Sequence, residues 1–394
     1  MHTSHSAVMT GREENSIPTP PAKGNTSYVL EDVKKTVFED RPLKPLASGE
    51  VRVNVRQTGL CGSDVHYKEQ GRIGDFVVRS PMVLGHESAG VVTEVAPDVT
   101  DLRPGDRVTL EPGVPCRSCP RCLAGDYNHC QALVFAATPP HDGTLATYYN
   151  IHHLFAHKLP DNMTMEEGSL MEPLAVSVHA TVGRGHVRAL DNVLVLGAGP
   201  IGLLCGAVAR AYGAKRVVCV DIKEEKLKTA LDFCATSTYK SDPLREGESG
   251  MDCSARNARQ LIDQIGDDVK ARDGFDVAIE ATGAQACVQL ACWAVRPRGR
   301  IVWIGMGHPD AVVPVLRTLV REVEMTGSFR YAAGDYERSI GLVSSGKIDV
   351  SKIVTHRYVF DDADKAFAAT ANAKGEDGRT CIKVQVCQGA AERR

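Results

Sequence analysis

The segment DNVLVLGAGPIGLLCGAVARAYGAKRVVCVD constrains the fold of this chain more than any other stretch. An apolar strand runs into Gly197, Gly199 and Gly202, spaced G-x-G-x-x-G, and the residues after them read as a helix. In such a strand–turn–helix the first glycine permits the tight turn. The second lets a pyrophosphate approach the backbone, and the third lets helix and strand pack closely. Free N–H groups at the helix start then face the phosphates, with Pro200 and Ile201 expected to line the same cofactor. The next strand ends in Asp221, 19 residues beyond Gly202. A carboxylate there accepts both ribose hydroxyls and repels a 2′-phosphate, so NAD is expected rather than NADP. Ile222 and Lys226 are the further expected cofactor contacts, although Lys223 and Lys226 would weaken the rejection of NADP.

Downstream, FDVAIEATGAQACVQLACWAV and GRIVWIGM repeat the strand–helix rhythm. That alternation predicts a doubly wound parallel sheet with helices on both faces. Residues 28–115 read differently, as short alternating strands with Gly/Pro turns and no helices between them, which predicts an antiparallel, barrel-like module. At 394 residues two domains are expected. The segment after about residue 330 mixes helices with short strands, and either closes the second module or returns to the first. Residues 241–260 read as a polar loop, and the first 24 as a disordered tail without an apolar signal core.

Thirteen cysteines are present, and four of them (Cys116, Cys119, Cys122 and Cys130) fall in EPGVPCRSCPRCLAGDYNHC. The spacing C-x2-C-x2-C-x7-C lets four thiolates converge on one tetrahedral ion. All-thiolate coordination leaves no open position, so a structural zinc is expected; an iron–sulfur cluster and unliganded thiols are the competing readings. A second donor set is spread along the chain: Cys61 in GLCGSDVHY, His86 and Glu87 in VLGHESAG, and Glu172 in MEPLAV. A thiolate, an imidazole and a carboxylate can hold zinc while leaving a position for water or a substrate oxygen. A lone Cys or His is ordinarily a packing residue. Beside a nicotinamide site the set makes sense, because alcohol oxidation needs a partner that stabilises the alkoxide.

Taken in order, CGSDVHY, GHESAG, the four-cysteine stretch, MEPLAV, GAGPIG and GSFRY resemble the medium-chain zinc dehydrogenases, and in detail their sorbitol and xylitol dehydrogenase branch. The resemblance spans about residues 28–390. It implies a GroES-like β-barrel catalytic domain at 25–174, completed by 327–394, around a Rossmann NAD-binding domain at 175–326, and a homotetramer. It assigns Cys61, His86 and Glu87 to the catalytic zinc, with Glu172 binding that zinc directly or through its water. It places Ser63 and His66 in a proton relay. Tyr67, Phe135, Thr138, Arg330 and Tyr331 become polyol contacts, with Glu172 beside them and Arg330 also near the nicotinamide ribose. His179 and His356 match no role and are expected to be structural. The implied reaction transfers hydride from a secondary alcohol of a polyol to NAD. ALVFAATPPHDGTLATYY and GSFRYAAGDY resemble fungal xylitol dehydrogenases more than arabinitol dehydrogenases, so xylitol to D-xylulose is favoured over sorbitol or L-arabinitol. Zinc-free relatives lack the ligand set, simple alcohol dehydrogenases have cysteine where Glu172 stands, and non-catalytic relatives lose ligands or relay residues.

Composition supports this by exclusion. A net charge of −3 gives no footprint for nucleic acid or an anionic membrane. No apolar run approaches the ~18 residues of a membrane helix. A reducing, cytoplasmic address is expected, with thiols rather than disulfides.

Overall fold

The computed structural model describes residues 24–308 and 310–388. Apart from Gly24, the tail expected at residues 1–24 lies outside the described residues.

The organising element of the first module is the strand Glu50–Gly59, whose Val51, Val53 and Val55 are fully buried. One of its edges pairs antiparallel with Glu87–Val95, which continues to Arg107–Leu110 and then Ala156–Lys158. The other edge is shared by two strands from distant parts of the chain. Tyr148–His152 covers its first half, and Lys383–Cys387 covers its second. Lys383–Cys387 in turn pairs in parallel with Val354–Val359. Valines 51, 53, 55 and 92 with Leu110, Ile151 and Phe155 fill the space this curved sheet encloses.

The second module is a six-stranded sheet in which every pairing is parallel. Its spatial order is Ser237–Lys240, Arg216–Asp221, Asn192–Leu196, Phe275–Glu280, Val295–Trp303, Glu324–Gly327. Numbered along the chain this is 3-2-1-4-5-6, the doubly wound order that binds a dinucleotide where the strand order reverses. The central strands Asn192–Leu196 and Phe275–Glu280 are buried at every position, as expected of parallel strands covered on both faces. The fold is therefore a GroES-like barrel joined to a Rossmann sheet. The strands of the segment after residue 330 return to the first module, and the strand just before it belongs to the second. Glu324–Gly327 completes the parallel sheet, while Val354–Val359 and Lys383–Cys387 join the barrel.

One expectation is corrected. Residues 241–260 are not all loop, because Gly250–Ile265 is a helix capped by Ser249, whose hydroxyl accepts from Asp252 N. Its inner face carries Ser254 and Asn257 as well as Ala258 and Leu261, so apolar periodicity is diluted. Asn257 offsets its burial by accepting from Asp242 N at 2.8 Å and from the Tyr239 hydroxyl at 2.9 Å. Between the last two strands of the parallel sheet, Val312, Val315, Leu316, Leu319 and Val320 stand exposed together, each by 61–73%.

Candidate active site

Cys61 is the N-cap of the helix Gly62–Gln70, and His86 and Glu87 lie where the chain enters the strand Glu87–Val95. Their ligand atoms converge within 4.8 Å of one another. A residue that spacing did not single out, Asp64, arranges this. It is fully buried in the first helical turn. Its carboxylate accepts from Cys61 N at 3.2 Å and Gly85 N at 2.9 Å, and lies 3.4 Å from His86 Nδ1. Burial pushes the Asp64 carboxyl up, but His86 and the two amides outweigh it and hold the carboxyl below its ordinary value. Engaging Nδ1 fixes the ring and leaves Nε2 for a metal, the usual task of a carboxylate behind a histidine ligand.

Glu87 has a second partner that sequence reasoning missed. Lys383, on the last strand, places Nζ 2.6 Å from Glu87 Oε1 and 2.9 Å from Leu60 O. Both side chains are almost wholly buried, at 3% and 1% exposure. Gly59 makes the room, since a Cβ there would collide with Glu87 Oε2. Glu172 enters from the first turn of the helix Met171–Val178 and is buried, but it stands outside the converging group of three. Burial raises its carboxyl to about 7, with Glu87 adding to the rise and His86, Lys383 and Arg330 opposing it. A thiol, an imidazole and a carboxylate meeting at one point, with a second carboxyl held back, fit a zinc ion with an open position.

The expected polyol contacts gather beside this point. Phe135 packs 5.9 Å from the His86 ring and carries the Arg330 guanidinium 3.7 Å above its own ring. Arg330 Nη2 donates to Thr138 Oγ1 at 3.4 Å, and burial pushes the nearby Tyr67 phenol up, with Thr138 and Arg330 opposing the rise. Tyr331 is buried 6.5 Å from Phe135, and its hydroxyl has no partner among the described residues. Together they form a wall with one cation and several hydroxyls, suited to a polyhydroxylated molecule. Ser63 and His66 are half-buried on the helix Gly62–Gln70.

At the glycine turn, Gly197 adopts φ 99, and a Cβ at Gly202 would strike the Gly197 carbonyl. Gly199 faces open space, as close phosphate approach requires. Pro200 opens the helix Pro200–Ala211, with Ile201 half-buried next to it. Asp221 ends its strand with Oδ2 accepting from Ala198 N and Oδ1 from Lys223 N, both at 2.9 Å. Each oxygen keeps a lone pair for a ribose hydroxyl. Ile222 is 70% exposed and Lys226 half-buried beside it. Glu280, on the neighbouring strand, caps Thr282 N and Gly283 N and shapes the floor of the turn.

The four cysteines of the second cluster also converge within 4.8 Å. Cys116 and Cys122 lie 3.8 Å apart and Cys119 and Cys122 3.4 Å apart. The edge of a tetrahedron with zinc–sulfur bonds of ~2.3 Å is ~3.8 Å, so the spacing suits an S4 metal site. Backbone amides point at the sulfurs: Cys119 N donates to Cys116 Sγ and Cys116 N to Cys130 Sγ. The amides of Ser118 and Cys119 pull the Cys116 thiol down to about 6, while burial and its neighbours push Cys122 up to about 12. Such crowding of thiols is relieved by a cation.

The alcohol dehydrogenase GroES-like domain family matches residues 47–161, and the zinc-binding dehydrogenase family matches residues 200–345. The chain belongs to this zinc-binding dehydrogenase family, and it is an oxidoreductase that uses zinc and a nicotinamide cofactor. Among its relatives is the probable D-xylulose reductase A of Aspergillus fumigatus, 46% identical over 352 residues, 89% of this chain and 95% of the relative. Among solved structures, L-idonate 5-dehydrogenase of Escherichia coli is similar at a TM-score of 0.79 and 26% identity, covering 92% of this chain and 98% of that one. An Escherichia coli alcohol dehydrogenase complexed with NADH matches with the same TM-score and identity, covering 93% and 100%.

Proposed function

We propose that this chain is an NAD-dependent polyol dehydrogenase that interconverts xylitol and D-xylulose. The single observation that carries the reading is the wall of Tyr67, Phe135, Thr138 and Arg330 beside the Cys61–His86–Glu87 donor set. The 46% identity to a probable D-xylulose reductase supports the choice of substrate. When bound, zinc supplies Lewis-acid polarisation of the alcohol and the nicotinamide supplies the hydride acceptor.

The chain's own residues do the rest. Cys61, His86 and Glu87 hold the catalytic zinc, with Asp64 and Lys383 orienting the last two. Glu172 is a further buried carboxyl beside this set and would meet the zinc directly or through its water. Tyr67, Thr138, Arg330 and Tyr331 bind polyol hydroxyls, and Phe135 closes the site against water. Arg330 reaches the cofactor ribose as well. Ser63 and His66 carry the alcohol proton outward. The turn Gly197–Gly202 with Pro200 and Ile201 holds the pyrophosphate. Asp221, Ile222 and Lys226 surround the adenosine ribose, and Asp221 selects NAD. Cys116, Cys119, Cys122 and Cys130 hold a second, structural zinc.

We assign the catalytic domain to 25–174 with 327–394 and the NAD-binding domain to 175–326. The assembly we propose is a homotetramer, supported by the exposed apolar group at 312–320. A cytoplasmic address agrees with thirteen free cysteines and with the lack of a helix long and apolar enough to cross a membrane among the described residues.

The test is a panel of xylitol, sorbitol, L-arabinitol and ribitol with NAD and NADP, run with zinc analysis and Cys61→Ser. Highest kcat/KM for xylitol with NAD and two zinc ions per chain support the reading. Cys61→Ser should abolish turnover and leave NADH binding intact. A preference for another polyol would reassign the substrate, and full activity of Cys61→Ser would remove the metal assignment.

A further inference from the structure

Asn128 lies on the single turn Tyr127–His129, directly before Cys130 of the four-cysteine lobe. It is 6% exposed, yet its amide does not serve the lobe. Nδ2 donates to the carbonyl of Phe329 at 2.8 Å. That carbonyl immediately precedes Arg330, which adopts φ 55, a left-handed conformation that side chains with a Cβ avoid on steric grounds. A second bond from the lobe closes the other side, where Ala333 N donates to Gly125 O at 3.1 Å. The His129 ring also lies 6.5 Å from that of Phe329. The chain between the strand Glu324–Gly327 and the helix Asp335–Ser344 has no ladder of its own to impose this backbone. Ala332 N and Asp335 tie its end locally, and the lobe supplies two further bonds that fix it from outside. The result is a guanidinium clasped between Phe329, at 4.8 Å, and Phe135, at 3.7 Å, with Nη2 turned to Thr138.

We infer that Asn128 is a positioning residue for the polyol: its bond to Phe329 O keeps Arg330 in the left-handed conformation that presents the guanidinium to substrate. The four-cysteine lobe thereby sets substrate affinity in addition to stability. This rests on Arg330 being a polyol contact, as proposed above.

Asn128→Asp tests it, because the change keeps the shape of the side chain and replaces the donor with an acceptor. In the zinc-loaded enzyme at saturating NAD, KM for the preferred polyol of the panel should rise about fivefold, the worth of one net hydrogen bond. kcat and zinc content should stay close to those of the parent. Arg330→Ala should raise KM further, and adding Asn128→Asp to it should change nothing more, since the two act as one unit. Should Asn128→Asp fold poorly, Asn128→Ala is read in the same way.

An unchanged KM in a zinc-loaded Asn128 variant overturns the inference. So does a full additional increase on the Arg330→Ala background, which would mean that Asn128 acts elsewhere. If Arg330→Ala itself leaves KM unaltered, the assignment of Arg330 to the polyol fails and the role of Asn128 falls with it.

Discussion

At the scale of the residue, the metal point is a set of charges that balance only in company. Lys383 and Glu87 are both almost fully buried and face each other. Removing one partner of such a pair leaves the other charge uncompensated, a larger loss than any net gain from the pair itself. Lys383→Met should therefore destabilise the fold by about 3 kcal/mol, read as a shift in the urea midpoint with parent and variant both stripped of zinc; an unchanged midpoint would show that Glu87 is neutralised by other means. The donors themselves were readable, because Cys61, His86 and Glu87 sit in short motifs beside a dinucleotide turn. Asp64 was in plain view within CGSDVHY, but its task depends on a contact with His86 that no spacing announces. Lys383 was beyond reach, since its partner lies 296 positions away and a lysine in a strand is ordinarily solvated.

Among the elements, the helix Pro200–Ala211 is the most tightly specified. It packs so close to its strand that Gly202 touches the carbonyl of Gly197. Gly202→Ala should push the helix start away and cost about 1–3 kcal/mol of overpacking, seen as weaker NADH binding by fluorescence titration with the zinc content unchanged. Undiminished binding would mean that the turn yields more easily than its geometry suggests. The lobe differs in kind: on the proposed reading its thiols hold a structural zinc, and its fold depends on that ion. Cys119→Ser should lower the thermal midpoint by roughly 5 °C or more, measured by calorimetry, and a midpoint equal to the parent's would argue against a metal there. Both elements were legible, one from glycines and the other from cysteine spacing. The helix Gly250–Ile265 was not. Ser254 and Asn257 occupy its buried face and satisfy themselves through Gly250 O and Asp242, so a polar sequence hides an interior surface.

For the whole molecule, alternating βα rhythm made the parallel sheet predictable, since each crossover lies next to the strand it serves. The barrel was harder. Lys383–Cys387 joins it by pairing with Gln57–Gly59, more than three hundred positions earlier, and Val354–Val359 follows by pairing with Lys383–Cys387; nothing local in either strand says which sheet it joins. The apolar group around Leu316, itself 73% exposed, is what a lone subunit should not display. Leu316→Asp should leave the subunit folded and shift the assembly to a smaller species by light scattering; an unaltered mass would place the subunit contact elsewhere. The shared edge of Glu50–Gly59 has one more consequence, for the chain during its synthesis. The parallel sheet can assemble once Gly327 has left the ribosome, but half an edge of the barrel stays unpaired until Cys387 emerges. Over that interval the newborn protein carries an open strand able to pair with its neighbours on the same messenger. Losing the last strand would therefore be felt first as aggregation of nascent chains, before any enzyme existed to be assayed.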